Sequence, residues 1–284
     1  MDPTFTGVPN TDKDEANVSE PTNAKITTTA SVSTAMEGAV AVLSMRSKPY
    51  NLLDVQLCLD IIEGLNWSRR QQARAVILRS SLRHFSAGAD LDAMVEAADT
   101  TDVLDWHLVD VLRAFDEHPA PIVASVQGVC VGGGFELALA CDLIVAAQSS
   151  KIGSVEATVG LHPLMGAIQR LAQRAGAARA KEMAMLGRRY DAATLERWNV
   201  INRVVPDEEL DIATMVLAQE LAHGPTIAHA ATKRLVAFAI NDGVATADEA
   251  MAEIQRPIFR SRDFRTGVSS YREKGIGMAT FDGR

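Results

Sequence analysis

The stretch GVCVGGGFELALACD, residues 128–142, sets a carboxylate, Glu136, just beyond three consecutive glycines in an otherwise apolar run, with Phe135 between them. Glycine admits dihedrals closed to other residues and leaves its N–H uncovered, and N–H groups at the start of a helix attract negative charge. The run matches neither nucleotide pattern, GxGxxG with a distant acid or GxxxxGK followed by Ser or Thr, and a permanently bound phosphate would meet the like charge of Glu136 in the first helical turn. An oxygen that turns negative only during a reaction, such as a thioester carbonyl passing to an enolate, suits both the helix dipole and the carboxylate. The competing reading is a packing device, in which the glycines let a strand and a helix approach closely.

A second stretch, RHFSAGADLDAM at residues 83–94, follows the apolar AVILRSS and places Ser86, Ala87, Gly88 and Ala89 where a turn after a strand can expose another N–H. Two such loops face to face would clamp an oxyanion between backbone donors. Taken alone, the segment is equally an ordinary strand-to-helix turn with Asp90 as N-cap.

Positioning these loops requires a layered framework. AVAVLSM reads as a strand, LLDVQLCLDIIEGLNWS as an amphipathic helix and ARAVILRSS as a buried strand. The next unit repeats the alternation, with a helix over TDVLDWHLVDVLRAFDEH, a strand PIVASVQGVCV, the glycines, a helix FELALACD and a strand LIVAAQ. Such alternation implies an α/β fold in which helices cover a sheet. Three helices then follow, AIQRLAQRAG, ARAKEMAML and AATLERWN, the last closing at Asn199 in a left-handed cap before a short strand VINRVV. Beyond Pro206 come further helices over DEELDIATMVLAQELAHG, TIAHAATKRLVAFAIN and TADEAMAEIQRPIFRS. Residues 1–34, rich in Thr, Ser, Asn and Pro, predict a disordered tail. Residues 35–206 predict the α/β core, and 207–284 a helical C-terminal region.

Composition narrows the function classes. With 28 Lys and Arg against 36 Asp and Glu, the net charge of −8 argues against nucleic acid as a partner. Cys58, Cys130 and Cys141 are odd in number and lack CxxC spacing, so neither a disulfide framework nor a zinc site is expected, and a reducing, cytoplasmic setting fits. Both Cys130 and Cys141 read as buried packing. The six His residues show no HExxH or paired spacing, so no metal is implied. No segment approaches the ~18 apolar residues of a membrane span, and the N-terminus lacks the apolar centre of a signal peptide.

The motif FSAGADL, followed by GVCVGGGFELALACDLIVAA, resembles the enoyl-CoA hydratase/isomerase family, the crotonase superfamily. The resemblance runs from about residue 37 to the C-terminus. It takes in RSKPYNLL, where the family has Arg-x-Lys-x-x-Asn-x-Leu, the segment GSVEATVGLHPLMGAIQRL, and the closing SSYREKGIGMATFDGR. It implies a ββα spiral core, a C-terminal helical region used in trimerisation, homotrimers often paired as hexamers, and acyl-CoA thioester substrates. Coenzyme A would enter with the substrate, with no separate cofactor.

Carried over by motif, the acid/base pair falls on Glu136 and Glu156, and the oxyanion-hole donors on the N–H groups of Ala89 and Gly133. Contacts to CoA fall on Lys48, Ala87, Asp90, Leu91 and Lys274. The implied activity is hydration of a 2-enoyl-CoA in fatty acid metabolism, with Glu136 taking a proton from water and Glu156 delivering one to the α-carbon. Alternatives are Δ3-Δ2 enoyl-CoA isomerisation, which needs one base and no activated water, and a non-catalytic acyl-CoA-binding scaffold. Two departures stand out. Gly153, Ser154, Val155 and Glu156 replace the family's Gly-Gln-Pro-Glu, and HPLMGA replaces a glycine-rich segment, so that Leu164 and Met165 reshape the acyl pocket. His162 nearby is left out of the catalytic set.

Overall fold

The computed structural model describes residues 27–100 and 107–284. Its strands are β1 (Thr27–Thr28), β2 (Val32–Glu37), β3 (Val40–Met45), β4 (Ala75–Ser80), β5 (Ile122–Val126), β6 (Val129–Val131), β7 (Leu143–Ala147), β8 (Lys151–Gly153), β9 (Tyr190–Asp191) and β10 (Arg203–Val205). Its helices are α1 (Val55–Arg70), α2 (Leu91–Thr100), α3 (Leu108–Asp116), α4 (Gly133–Ala140), α5 (Ala167–Ala175), α6 (Ala177–Leu186), α7 (Ala192–Arg197), α8 (Leu210–His223), α9 (Thr226–Asn241), α10 (Val244–Arg260) and α11 (Arg262–Lys274).

Seven strands form one sheet in the order β1-β2-β3-β4-β5-β7-β10, antiparallel from β1 to β3 and parallel from β3 onward. Both faces are covered, which is why β3 and β4 read as unbroken apolar runs rather than alternating ones. Ala41, Leu43 and Met45 of β3 and Val76 and Leu78 of β4 share the main core with Leu57, Ile61 and Leu65 of α1. The intervening Val40, Val42, Ala75 and Ile77 pack beneath Ala218 and Ala222 of α8. The first helix beyond Pro206 is therefore a layer of the sheet. Helices α9, α10 and α11 pack mainly on one another, and the chain end returns to the core, where Arg74 donates to Phe281 O at 2.9 Å, Gly224 O at 2.7 Å and Thr226 Oγ1 at 3.0 Å.

Two expectations change. The run PIVASVQGVCV is two strands, because the chain turns at Gly128, with φ of +61° and no room for a Cβ, which would lie 2.5 Å from His84 Nδ1 and 2.7 Å from Arg83 O. That turn sends β6 into a second, three-stranded sheet, β6-β8-β9. Residues 27–34, assigned to the tail, contribute β1 and the start of β2, with Val32 fully buried and Ser31 N–H donating to Asp60 Oδ2 at 2.8 Å. Their short polar side chains hide the strand pattern; residues 1–26 lie outside the described residues. Of the helix expected over 101–118, residues 101–106 also lie outside them, and the described part begins at Leu108. Asn199 does take the left-handed conformation, at φ 62°.

Candidate active site

The site is built where the two glycine-bearing loops meet. Residues 50–53 zip onto the loop after β4: Ala87 N–H donates to Tyr50 O at 3.0 Å, Leu53 N–H to Gly88 O at 2.8 Å, and Asp90 N–H to Leu53 O at 2.9 Å. Because Gly88 and Asp90 spend their groups on Leu53, the N–H of the intervening Ala89 faces away from it. On the other loop, Gly132 takes φ 55° and ψ −132°, and α4 starts at Gly133 with its N–H at the positive end of the helix. The two free donors are neighbours. A Cβ built on Gly133 would lie 3.9 Å from Ala89 N, and one on Gly88 would lie 3.9 Å from Gly133 N. Neither N–H donates to a protein acceptor among the described residues.

Close packing of the kind the glycines allow occurs at Gly134. A Cβ on Gly134 would collide with the side chain of Ser86. Ser86 ties the loops together, since its N–H donates to Val129 O at 3.2 Å, its carbonyl accepts from Val131 N–H at 3.1 Å, and its hydroxyl donates to Asn51 O at 2.7 Å. Asn51 is itself fully buried with φ 50°, and its Nδ2 donates to Ser80 Oγ at 2.8 Å and Phe85 O at 2.9 Å. Its presence in the RSKPYNLL pattern was the sequence signal for this strut.

Glu136 sits one turn into α4 with only 3% of its surface exposed. Its Oε1 accepts from Met165 N–H at 2.7 Å and Ala167 N–H at 3.1 Å. Burial pushes its carboxyl up to about 7; the backbone donors oppose the rise and the charge of Glu156 adds to it. Glu156 is delivered by the second sheet. Parallel pairing of β6 with β8 sets Val131 opposite Gly153, and Gly132 N–H donates to Gly153 O at 3.1 Å, so the chain leaving β8 passes the glycine loop. Glu156 then opens a 3₁₀ turn, Glu156–Val159, with Oε2 accepting from Ser154 Oγ at 2.7 Å and Oε1 buried without a partner.

Ala87, Ala89, Leu91, Gly133, Glu136 and Glu156 all line one cavity, whose remaining wall is mostly apolar and includes Leu164 and Met165. Three residues carried over by motif lie outside its lining. The carboxylate of Asp90 caps α2, accepting from Ala93 N–H at 3.1 Å. Lys48 is exposed and lines a separate polar groove with Arg46, Ser47 and Ser81, and Lys274 is exposed in the last turn of α11. His162 is exposed and turned against Pro163 O, at 2.7 Å. The three thiols are buried, and burial pushes Cys58 up to about 12 and Cys130 and Cys141 well up, which keeps them protonated. No group of His, Cys, Asp and Glu among the described residues is arranged to hold a metal ion. Nor is any described helix long and apolar enough to cross a membrane.

Sequence reasoning missed Ser154 as a partner of Glu156, having counted it only as a departure from a pattern. It also missed the donors on Met165 and Ala167, which have no side-chain signature.

Comparison with known proteins places the chain in a family. Residues 35–281 match the family model described as enoyl-CoA hydratase/isomerase. The chain is 31% identical over 239 residues to the "Probable enoyl-CoA hydratase" of Rhodobacter capsulatus, covering 84% of this chain and 93% of the relative. It is also 31% identical over 244 residues to the carnitinyl-CoA dehydratase of Salmonella enteritidis, with the same shares covered. The crystal structure of an enoyl-CoA hydratase from Bacillus anthracis superposes with a TM-score of 0.81 at 27% identity, covering 89% of this chain and all of that one.

Proposed function

Because this chain belongs to the enoyl-CoA hydratase/isomerase family, we propose that it adds water reversibly across the double bond of a 2-enoyl-CoA to give the 3-hydroxyacyl-CoA. The observation that carries the proposal is the facing of two carboxylates, Glu136 and Glu156, on one cavity beside the unspent N–H groups of Ala89 and Gly133. In this reading the thioester oxygen accepts from both N–H groups, which stabilise the charge developing on it as the double bond is polarised. Glu136 takes a proton from water as the water oxygen bonds to the β-carbon. Glu156 gives a proton to the α-carbon, and the reverse reaction exchanges the roles. A carboxyl held at about 7 supports Glu136 as a base poised near neutral pH.

The apolar wall favours an uncharged aliphatic acyl group. A trimethylammonium head of the carnitinyl kind gains most from aromatic faces, and the described lining offers none. Coenzyme A enters as part of the substrate, with Ala87, Asp90 and Leu91 on its loop and Lys48 and Lys274 as cations for its phosphates. Exposed Val236, Ile240, Phe259 and Tyr271 on α9, α10 and α11 suit burial in a trimer or a hexamer made of two trimers. A cytoplasmic location, with neither membrane nor nucleic acid as partner, completes the proposal; the three unpaired thiols support the reducing setting.

The test is loss of the conjugated enoyl absorbance on incubation with crotonyl-CoA in water labelled at its oxygen. Label in the product supports hydration. Double-bond migration in a 3-enoyl-CoA without label identifies an isomerase, and unchanged spectra across a panel of enoyl-CoAs a non-catalytic binder.

A further inference from the structure

We propose that Ser154 is the positioning residue of the acid/base pair: its hydroxyl holds Oε2 of Glu156, which makes Oε1 the atom that exchanges a proton with the substrate's α-carbon. The inference rests on the hydratase reading above and assigns a role to the residue that breaks the family's Gly-Gln-Pro-Glu pattern.

Glu136 and Glu156 are held in different ways. Two backbone N–H groups fix Glu136, so its orientation follows the main chain of residues 165–167. The backbone around Glu156 is also pinned, by Thr158 N–H to Val155 O at 3.0 Å, Thr158 Oγ1 to the same oxygen at 2.7 Å, and Leu161 N–H to Glu156 O at 3.0 Å. Its side chain, however, has a single protein partner among the described residues, the Ser154 hydroxyl. Ser154 is 1% exposed and lies in the two-residue link between β8 and the 3₁₀ turn, where packing fixes the donor. With one hydroxyl proton to give, it marks Oε2 as a permanent acceptor.

Oε1 is then the free end. It is buried, has no partner, and lies 3.8 Å from where a Gly132 Cβ would stand, on the side of the glycine loop. A buried carboxylate oxygen without a donor is costly unless an incoming group satisfies it. In the hydration direction the Oε1–H bond breaks as the α-carbon, using the electron pair of the enolate, forms its C–H bond. The water oxygen has joined the β-carbon with its proton passed to Glu136, and exchange with solvent restores both carboxyls. The hydroxyl of Ser154 steadies the carboxylate that remains on Glu156 after it has given up the proton.

Two readouts test this: steady-state hydration of crotonyl-CoA, and solvent-deuterium exchange at the α-carbon of butyryl-CoA, which needs the α-proton step but no hydration. Ser154→Ala is expected to lower kcat roughly tenfold or more, the scale of one hydrogen bond to a charged group, with KM changed by less than about twofold. The exchange rate should fall by the same factor, and Ser154→Thr should restore both. In a Glu156→Gln background, Ser154→Ala should add no further loss. Unchanged kcat and exchange in Ser154→Ala, a rise in KM with kcat preserved, or an additive loss in the Glu156→Gln background would each overturn the assignment. If Ser154→Ala fails to fold, Ser154→Cys keeps the size while weakening the donor and carries the same expectations. A wild-type protein that exchanges the α-proton but hydrates nothing refutes the hydratase reading and leaves Ser154 to be judged on exchange. One that does neither refutes both.

Discussion

Replacing Glu136 by Gln separates the two effects of burying this carboxyl. In the folded chain the group titrates at about 7 instead of the ordinary 4.5, chiefly because burial disfavours its charge. Between those values the folded state keeps a proton that the unfolded chain has released. The contribution of this carboxyl to stability is therefore greatest below pH 4.5, falls as pH rises through 7, and is flat above it. The difference corresponds to about 3 kcal/mol lost by pH 8, but less than about 1 kcal/mol at pH 5. Gln has the same shape, and its Oε1 can accept from Met165 and Ala167 as Glu136 does, but it never ionises. Urea unfolding of both proteins at one protein concentration, which holds any assembly constant, should show Glu136→Gln more stable by about 3 kcal/mol at pH 8, with most of that gain gone at pH 5. Hydration should fall by roughly 10² to 10⁴ at the same time. A stability difference independent of pH, or a Gln variant less stable at pH 8, would refute the burial argument. Full activity in that variant would refute the role as base.

Other consequences are open to direct measurement. Hydration by this pair needs Glu136 ionised and a proton on Glu156, so kcat/KM for crotonyl-CoA should pass through a maximum and fall on either side of it, and a profile flat from pH 5 to 8 contradicts it. Gly134→Ala drives a methyl into Ser86 and should destabilise by about 1–3 kcal/mol, seen as a lower Tm in thermal unfolding. Met165 is buried in the cavity wall, so Met165→Ala should shift kcat/KM toward longer enoyl chains while costing about 2–5 kcal/mol of stability. An unaltered chain-length profile would place the acyl group elsewhere.

Much of the framework is a local property of the chain. Strands such as β3 and β4 are continuous apolar runs because both faces of the sheet are covered, and that pattern is visible in the residues themselves. The glycines and Glu136 lie in one contiguous stretch, so their order along a strand-turn-helix unit also follows from the residues, as does the left-handed Asn199. Where the pattern misled, a distant contact was responsible. The turn at Gly128 depends on His84 and Arg83 occupying the space of a side chain, and the burial of Val32 depends on the sheet that receives it.

The residue types alone determined that an oxygen turning negative during a reaction suits the glycine loop; the ordered motifs determined the family and, through the resemblance, the expectation of an acid/base pair at Glu136 and Glu156. Only the tertiary structure decided how each group is tuned and aimed. Glu136 owes its raised carboxyl to burial and its fixed orientation to N–H groups some 29 and 31 residues away. Glu156 faces the same cavity because β8 pairs with β6, and its free oxygen is selected by a neighbouring serine. The physical reason is the range of the interactions: propensity and periodicity act over one turn or strand, whereas desolvation and hydrogen-bond direction depend on whatever the fold brings alongside.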